Sequence, residues 1–380
     1  MKKICFIATI PAAVNSFLRD HIQAAAEIYS VTVVCNYEDK YLLEGLNAKI
    51  VFLPIERKPS PFKDLLALIQ LVKLFRQEKF DIVHSHLPKT GLLGMIAASL
   101  ACVPIRINTF HGEVWATQSG WRRRALKLCD QLVGLLATNI LVVSPSQQAF
   151  LEKEGILPQS KAKVIGAGSI CGVNPLRFHT DLDARLTVRK NLGVTQEATV
   201  ILFVGRLNRD KGILDLASAF DAISKHHSNV VLLLAGSEED VAFSQIQEIC
   251  HAELDRLHYV TFTTTPEHYM AAADIFCLPS YREGLPMTIL ESAACGVPTV
   301  ASHIYGITDA VEEGKTGLLF TAGDVSGLTQ SLLTLIEDKS LRQQMGEAAR
   351  LSVLDLFPAH KITEGVLAFY AELLAEWYGD

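Results

Sequence analysis

Several familiar signatures are missing from this chain. None of its eight cysteines, at positions 5, 35, 102, 129, 171, 250, 277 and 295, stands in a C-x-x-C pair. Cys5, Cys35 and Cys277 sit inside apolar runs instead, and they read as small buried residues of a reducing compartment. No G-x-G-x-x-G follows the first apolar run and no Walker A is present, which argues against a dinucleotide dehydrogenase and a P-loop NTPase. No apolar stretch reaches the roughly 20 residues of a membrane span. The longest, GLLGMIAASLACVPI, ends at residue 105. With 24 Gly and 14 Pro the chain is neither collagen-like nor of low complexity.

What is present is ordinary for a globular protein: 380 residues, 49% apolar and 20% charged, enough for two domains. The net charge of -6 conceals a segregation. Residues 1–180 carry 21 Lys and Arg against 13 Asp and Glu, and the remaining 200 residues carry 14 against 28. A basic half can meet anionic lipid, phosphate or nucleic acid; the plainer reading is chance segregation on two solvated surfaces. The N-terminal MKKICFIATIPAAV has the charge and apolar run of a short signal peptide. Pro11 cuts that run and alternating elements follow at once, so a first β-strand is expected and the protein is soluble or peripheral.

Short β-branched runs alternate with helical patterns along the chain. KICFIAT, VTVVC, AKIVFL, DIVHSH, RINTFH, ILVVS and KVIGAG are strand candidates in the first half, with helical patterns such as 61–79 and 89–101 between most of them. TVILFVG, NVVLLLAG, HYVTFTT, DIFCLPS, PTVAS and GLLF repeat the scheme in the second. Strands that are continuous apolar runs between helices belong to parallel sheets covered on both faces. The fold expected is α/β, with two tandem Rossmann-like doubly wound domains facing a cleft. The join falls in GSICGVNPLRFHTDLD, giving domains at 1–175 and 176–357. A helix over 358–380 follows the break at Phe357–Pro358.

Ligands of such sheets bind at the carboxyl ends of strands, so the chemistry is expected in the loops there. In VGRLNRDKG, Arg206 and Lys211 flank a strand-to-helix turn. A guanidinium fork and an ammonium beside a helix start make a diphosphate site; solvated loop cations are the plainer reading. In SYREGLPMTILE, Glu283 follows a strand and Glu291 is separated from it by seven residues, inside a helix that Gly284, Leu285 and Pro286 lead into. A carboxylate there can accept hydrogen bonds from vicinal hydroxyls, as at a ribose. His111, in INTFHGEVW, ends a strand and can bond a sugar hydroxyl or a developing charge. The pair in HSH, at 84 and 86, has no Asp or Cys nearby to complete a metal set. Asp181 and Asp183 spell D-x-D, but in the join rather than after a strand, and read as chance. Around Trp121, the cations Arg122, Arg123, Arg124 and Lys127 precede an apolar helix. They can face anionic headgroups or an acceptor diphosphate, or simply cap a buried helix.

GRLNRDKG, REGLPMTILE, ACGVPTVAS and TFHG together resemble the retaining glycosyltransferases of family 4, which have the GT-B fold. SFLRDHI, HSHLPKTGLLG and GSICGVNPLRF are similar to bacterial enzymes of surface polysaccharide and glycan assembly, capsule and lipopolysaccharide among them. The resemblance implies a nucleotide sugar, commonly a UDP-sugar, as donor of a hexose or N-acetylhexosamine. It implies a polyprenyl-diphosphate-linked glycan as acceptor, no nucleic acid, and no cofactor or bound metal. Arg206 and Lys211 would hold the donor diphosphate and Glu291 the ribose. Glu283, with the backbone of Gly284 and Leu285, would hold the donor sugar, and His111 would contact it near the reacting centre. The last helix would cross back to the first domain. Many members carry a Gly-Gly turn after the first strand; here TIPAAVNSF has no glycine, and Asn15 or Ser16 would substitute by side-chain contact with the acceptor. The basic first domain would dock on the inner face of the cytoplasmic membrane, through Trp121, Arg122, Arg123 and Arg124. The alternatives are a sugar-nucleotide epimerase of the same architecture and, from another class, a two-lobed small-molecule binding protein.

Overall fold

In a computed structural model, residues 1–379 are described except 159–160 and 251–253. The chain forms two compact units. One comprises Met1–Cys171 with the segment from Ala359 onward, and the other is Gly172–Pro358. Residues 172–175, assigned by sequence to the first domain, belong to the second unit. The reason is local: Val173 donates its N–H to the Phe357 carbonyl at 2.7 Å and bridges to Pro358.

The first unit has a seven-stranded sheet: β1 (Lys3–Ile7), β2 (Ser30–Cys35), β3 (Lys49–Phe52), β4 (Ile82–His86), β5 (Ile105–Phe110), β6 (Asn139–Val142) and β7 (Ala162–Val164). Every pairing is parallel, in the order β3-β2-β1-β4-β5-β6-β7. Strand order reverses between β1 and β4. Helices Pro61–Glu78, Pro88–Leu100 and Gly120–Leu136 bury Leu71, Phe75, Met95 and Val133 against one face. Helices Arg19–Ala26 and Ala359–Tyr378 cover the other face with Ile22, Phe369, Tyr370 and Leu373. His21 fastens those two helices together. Its Nδ1 lies 2.9 Å from Thr363 Oγ1 and its Nε2 2.7 Å from the Ile170 carbonyl.

The second unit has a six-stranded parallel sheet: β8 (Thr199–Val204), β9 (Val230–Ala235), β10 (Leu257–Val260), β11 (Ile275–Leu278), β12 (Thr299–Ser302) and β13 (Gly317–Phe320). Its order is β10-β9-β8-β11-β12-β13. Here the order reverses between β8 and β11. Central β8, β9 and β11 are buried along almost their whole length, as their unbroken apolar sequences require. The D-x-D has a structural explanation. Asp181 is not in a loop but caps the helix Leu182–Asn191, accepting a 2.9 Å bond from the Ala184 N–H, and Asp183 is its first-turn acid.

Candidate active site

At the reversal point of the second unit two loops meet, one after β8 and one after β11. After Val204 the chain runs through Gly205 and Arg206 to a 3₁₀ turn, Arg209–Lys211, capped by Asn208 Oδ1 on the Lys211 N–H at 2.9 Å. Gly212 then turns at φ +67°, where a Cβ would strike the Pro279 carbonyl, and the helix Ile213–Ser224 begins. That close approach lets the loops interlock. Tyr281 N–H donates to the Asp210 carbonyl at 2.8 Å, and Arg282 Nε donates to Asp210 Oδ2 at 2.8 Å.

The two sequence motifs are thereby joined. Lys211 Nζ lies 2.5 Å from Glu283 Oε1, which also accepts from Ser280 Oγ at 2.7 Å. Arg206 pairs with Glu239, beyond the end of β9, and Asn208 Nδ2 donates to the same carboxylate oxygen at 2.6 Å. Each cation therefore has an acidic partner. Asn208, Glu239 and Ser280 were not singled out by sequence; polar residues in a loop carry no local sign of which strand end they face.

Glu291 sits in the helix Met287–Ala294, with Gly284 and Leu285 buried just ahead of it. Burial raises its carboxyl to about 7, against a smaller lowering by Arg177 and a rise from Glu267. It has no hydrogen-bond partner among the described residues. Arg177 instead holds Glu267 at 2.9 Å and the Thr264 carbonyl at 2.9 Å. These two residues also line a crevice of about 340 Å³ with Leu176, His179, Asp181 and His268.

In the first unit, His111 follows β5 and is half-buried. Burial lowers it to about 3, so it is neutral at physiological pH. Its Nε2 is 3.1 Å from His86 Nδ1, and its ring meets Phe17 edge-on at 6.3 Å. The glycine-free segment after β1 is not an open loop. Pro11 starts a helical turn and Val14–Leu18 is a π-turn running into Arg19–Ala26, with Pro at the position where its missing N–H costs nothing. Asn15 is half-buried and Ser16 exposed on that turn, but its contact with His111 is made by Phe17.

The basic cluster divides. Arg123 and Lys127 turn inward to Glu154, at 2.9 and 2.8 Å, and lie over the buried Trp115 ring. Arg123 therefore leaves the outward set. Trp121, Arg122 and Arg124 remain exposed, in line with exposed Leu128, Leu132 and Leu135. On the same side of the sheet, Pro61–Glu78 exposes Phe62 (91%), Leu65, Leu66 and Ile69, an apolar stripe at i, i+3, i+4, i+7. Among the described residues no helix is long and apolar enough to cross a membrane.

Two families account for both units. Residues 19–168 match the Glycosyl transferase 4-like domain, and residues 185–352 match Glycosyl transferases group 1. The chain belongs to the family 4 glycosyltransferases. A capsular polysaccharide biosynthesis glycosyltransferase, CapM of Staphylococcus aureus, is 28% identical to it over 100% of this chain and 99% of its own. The Escherichia coli UDP-Gal:alpha-D-GlcNAc-diphosphoundecaprenol alpha-1,3-galactosyltransferase is 28% identical over 92% and 90%. Among solved structures, Anabaena Alr3699/HepE in complex with UDP-glucose superposes with a TM-score of 0.83 at 21% identity, covering 98% of this chain and 100% of that one. This glycosyltransferase thus has the GT-B fold and acts on a nucleotide sugar.

Proposed function

We propose that this glycosyltransferase moves a hexose or N-acetylhexosamine from a UDP-sugar to a polyprenyl-diphosphate-linked glycan, with retention of configuration and without a metal. The observation that carries the reading is the placement of Arg206 and Lys211 around the reversal point of the second sheet, where doubly wound folds bind nucleotides. The two cations take the diphosphate, exchanging Glu239 and Glu283 for phosphate oxygens. Glu283, released, turns to the donor sugar beside the backbone of Gly284 and Leu285. Glu291 accepts the ribose hydroxyls and His111 meets the sugar. The anomeric C–O bond to the diphosphate breaks, and the acceptor oxygen bonds to the anomeric carbon on the same face. The acceptor's proton passes to the departing phosphate. Stabilising charge on that leaving group is the largest catalytic term, and fixed side-chain cations supply it. Asn15 and Ser16 lie toward the acceptor.

Purified protein offered UDP-hexoses and a synthetic polyprenyl-diphosphate saccharide should give a product heavier by one sugar, by mass analysis. Transfer should persist in EDTA. Loss on chelation with recovery in Mg²⁺ or Mn²⁺ would mean that a metal, not Arg206 and Lys211, neutralises the diphosphate.

The polyprenyl acceptor places the work at the cytoplasmic face of the membrane, where the two exposed apolar stripes and the cations Arg57, Lys58, Arg122 and Arg124 suit an anionic surface. Each cation near such a surface contributes about 1 kcal/mol and is screened by salt. Co-sedimentation with anionic vesicles should weaken with salt, and weaken about tenfold or more in the double variant Arg122→Glu, Arg124→Glu. Equal sedimentation of that variant and wild type would remove this face from the membrane.

A further inference from the structure

The HSH at the end of β4, whose spacing alone assigns it no role, lies beside the strand-order reversal of the first sheet. His84 is fully engaged: its Nδ1 is 2.6 Å from Tyr370 Oη and its Nε2 2.7 Å from Thr109 Oγ1. His86 is only 3% exposed, and its ring packs 4.1 Å from His84 and parallel to Phe6. Its Nδ1 faces His111 Nε2, and its Nε2 is buried with no hydrogen-bond partner among the described residues. The backbone is held in place as well. Thr90 Oγ1 donates to the His86 carbonyl, and Leu87 adopts φ +71° and ψ 151°, a conformation costly for any residue with a Cβ.

Two neutral imidazoles sharing one hydrogen bond have two arrangements. If His111 Nε2–H donates, His86 must carry its own proton on Nε2, and that N–H is buried without an acceptor. If His86 Nδ1–H donates, the unpaired atom is a ring-nitrogen lone pair. Buried N–H groups without partners are rarer than under-used acceptors, so the second arrangement prevails. We infer that His86 is a positioning residue: its Nδ1–H donates to His111 Nε2, fixing His111 as the Nδ1–H tautomer and presenting a hydrogen-bond donor, not a base, to an oxygen of the donor sugar. Burial, with the neighbouring imidazoles, also holds His84 and His86 well below the usual histidine range and keeps the relay neutral. The proposal rests on the assignment of the sugar contact to His111. It gives the imidazole one role, because a proton fixed on Nδ1 leaves no free lone pair to take a proton from an acceptor hydroxyl.

The direct test is the ¹⁵N spectrum of histidine-labelled protein, with His111 assigned by its absence from His111→Ala. The proton is expected on Nδ1, and a proton on Nε2 overturns the relay. His86→Asn keeps an amide N–H near the position of Nδ1, whereas His86→Leu removes it. Hydrolysis of the UDP-hexose selected by the transfer screen should fall roughly 10–100-fold in kcat in His86→Leu, the usual cost of removing a group that orients an imidazole, and less than tenfold in His86→Asn. UDP affinity should be unchanged in both. A folded His86→Leu with normal kcat, or His86→Asn as impaired as His86→Leu, overturns the proposal. If the leucine variant does not fold, the wild-type spectrum decides. A normal rate in His111→Ala overturns the sugar contact itself, a result distinct from a wrong tautomer in a protein that needs His111.

Discussion

Alanine at Arg206 or at Lys211 should lower kcat by about 10²–10³-fold, the range found when one donor is removed from a site of developing negative charge. The expected loss is in turnover more than in folding. The Arg206–Glu239 pair is 40% and 36% exposed, and pairs of that kind contribute only about 0–1 kcal/mol to stability. Lys211 differs in degree. Its pair with Glu283 is less exposed, and Ser280 shares the same oxygen. Removing the ammonium leaves a carboxylate facing the diphosphate without its cation, so Lys211→Ala should be the more severe. A converse variant separates binding from charge. Glu239→Gln frees Arg206 and should leave kcat near normal while tightening UDP by no more than about fivefold. Single-turnover transfer with thermal melts measures each term. Near-normal kcat/KM in either folded alanine variant places the diphosphate elsewhere.

The second large effect belongs to Glu291. Its carboxyl has no partner among the described residues, and a charge-assisted hydrogen bond is worth ~1.5–3 kcal/mol, so Glu291→Ala should raise donor KM by about 10–150-fold. The raised carboxyl gives this prediction a pH signature. Ribose hydroxyls need the ionised form, which is scarce below pH 7 in the free enzyme. Donor KM should therefore fall as pH rises from about 6 to 8, by at most tenfold per unit on the acid side. Folding responds with the opposite sign. A carboxyl whose folded value is raised favours the native state fully below its unfolded value near 4.5, and that contribution is lost as pH rises through about 7. Glu291→Gln should flatten both profiles. A donor KM independent of pH in wild type, or unchanged in a folded Glu291→Ala, rejects the ribose role.

Much of this molecule is legible locally. Unbroken apolar runs such as TVILFV and IFCL are strands because nothing in them tolerates water on either face. The cations of GRLNRDKG stand out because they bracket a strand end and a glycine. Partners fixed by strand order are invisible by the same logic. Glu239 follows β9 and Glu283 follows β11, and only the sheet order brings both to the loop after β8. Nothing local marks His86 for the same reason, since its place depends on β1 and β4 being neighbours at the reversal. Other misses had signals. In Gly120–Leu136, Arg123 and Lys127 share a helical face with Asp130, so their inward turn follows from phase alone. Pro11 followed by residues without glycine marks a helix start rather than a flexible turn.

The last helix has a consequence for how the protein is made. Residues 172–358 are contiguous and can fold as they leave the ribosome, whereas the first unit must wait for Ala359–Tyr378. Until that helix arrives, Ile22, Val33 and their neighbours lack their cover, and His84 lacks the hydroxyl of Tyr370. Folding thus finishes in the opposite order to synthesis: the unit begun second is completed first. A chain that stops a few turns early would carry an intact second unit and an unsealed first one, marking it for chaperones and proteases before it could consume donor.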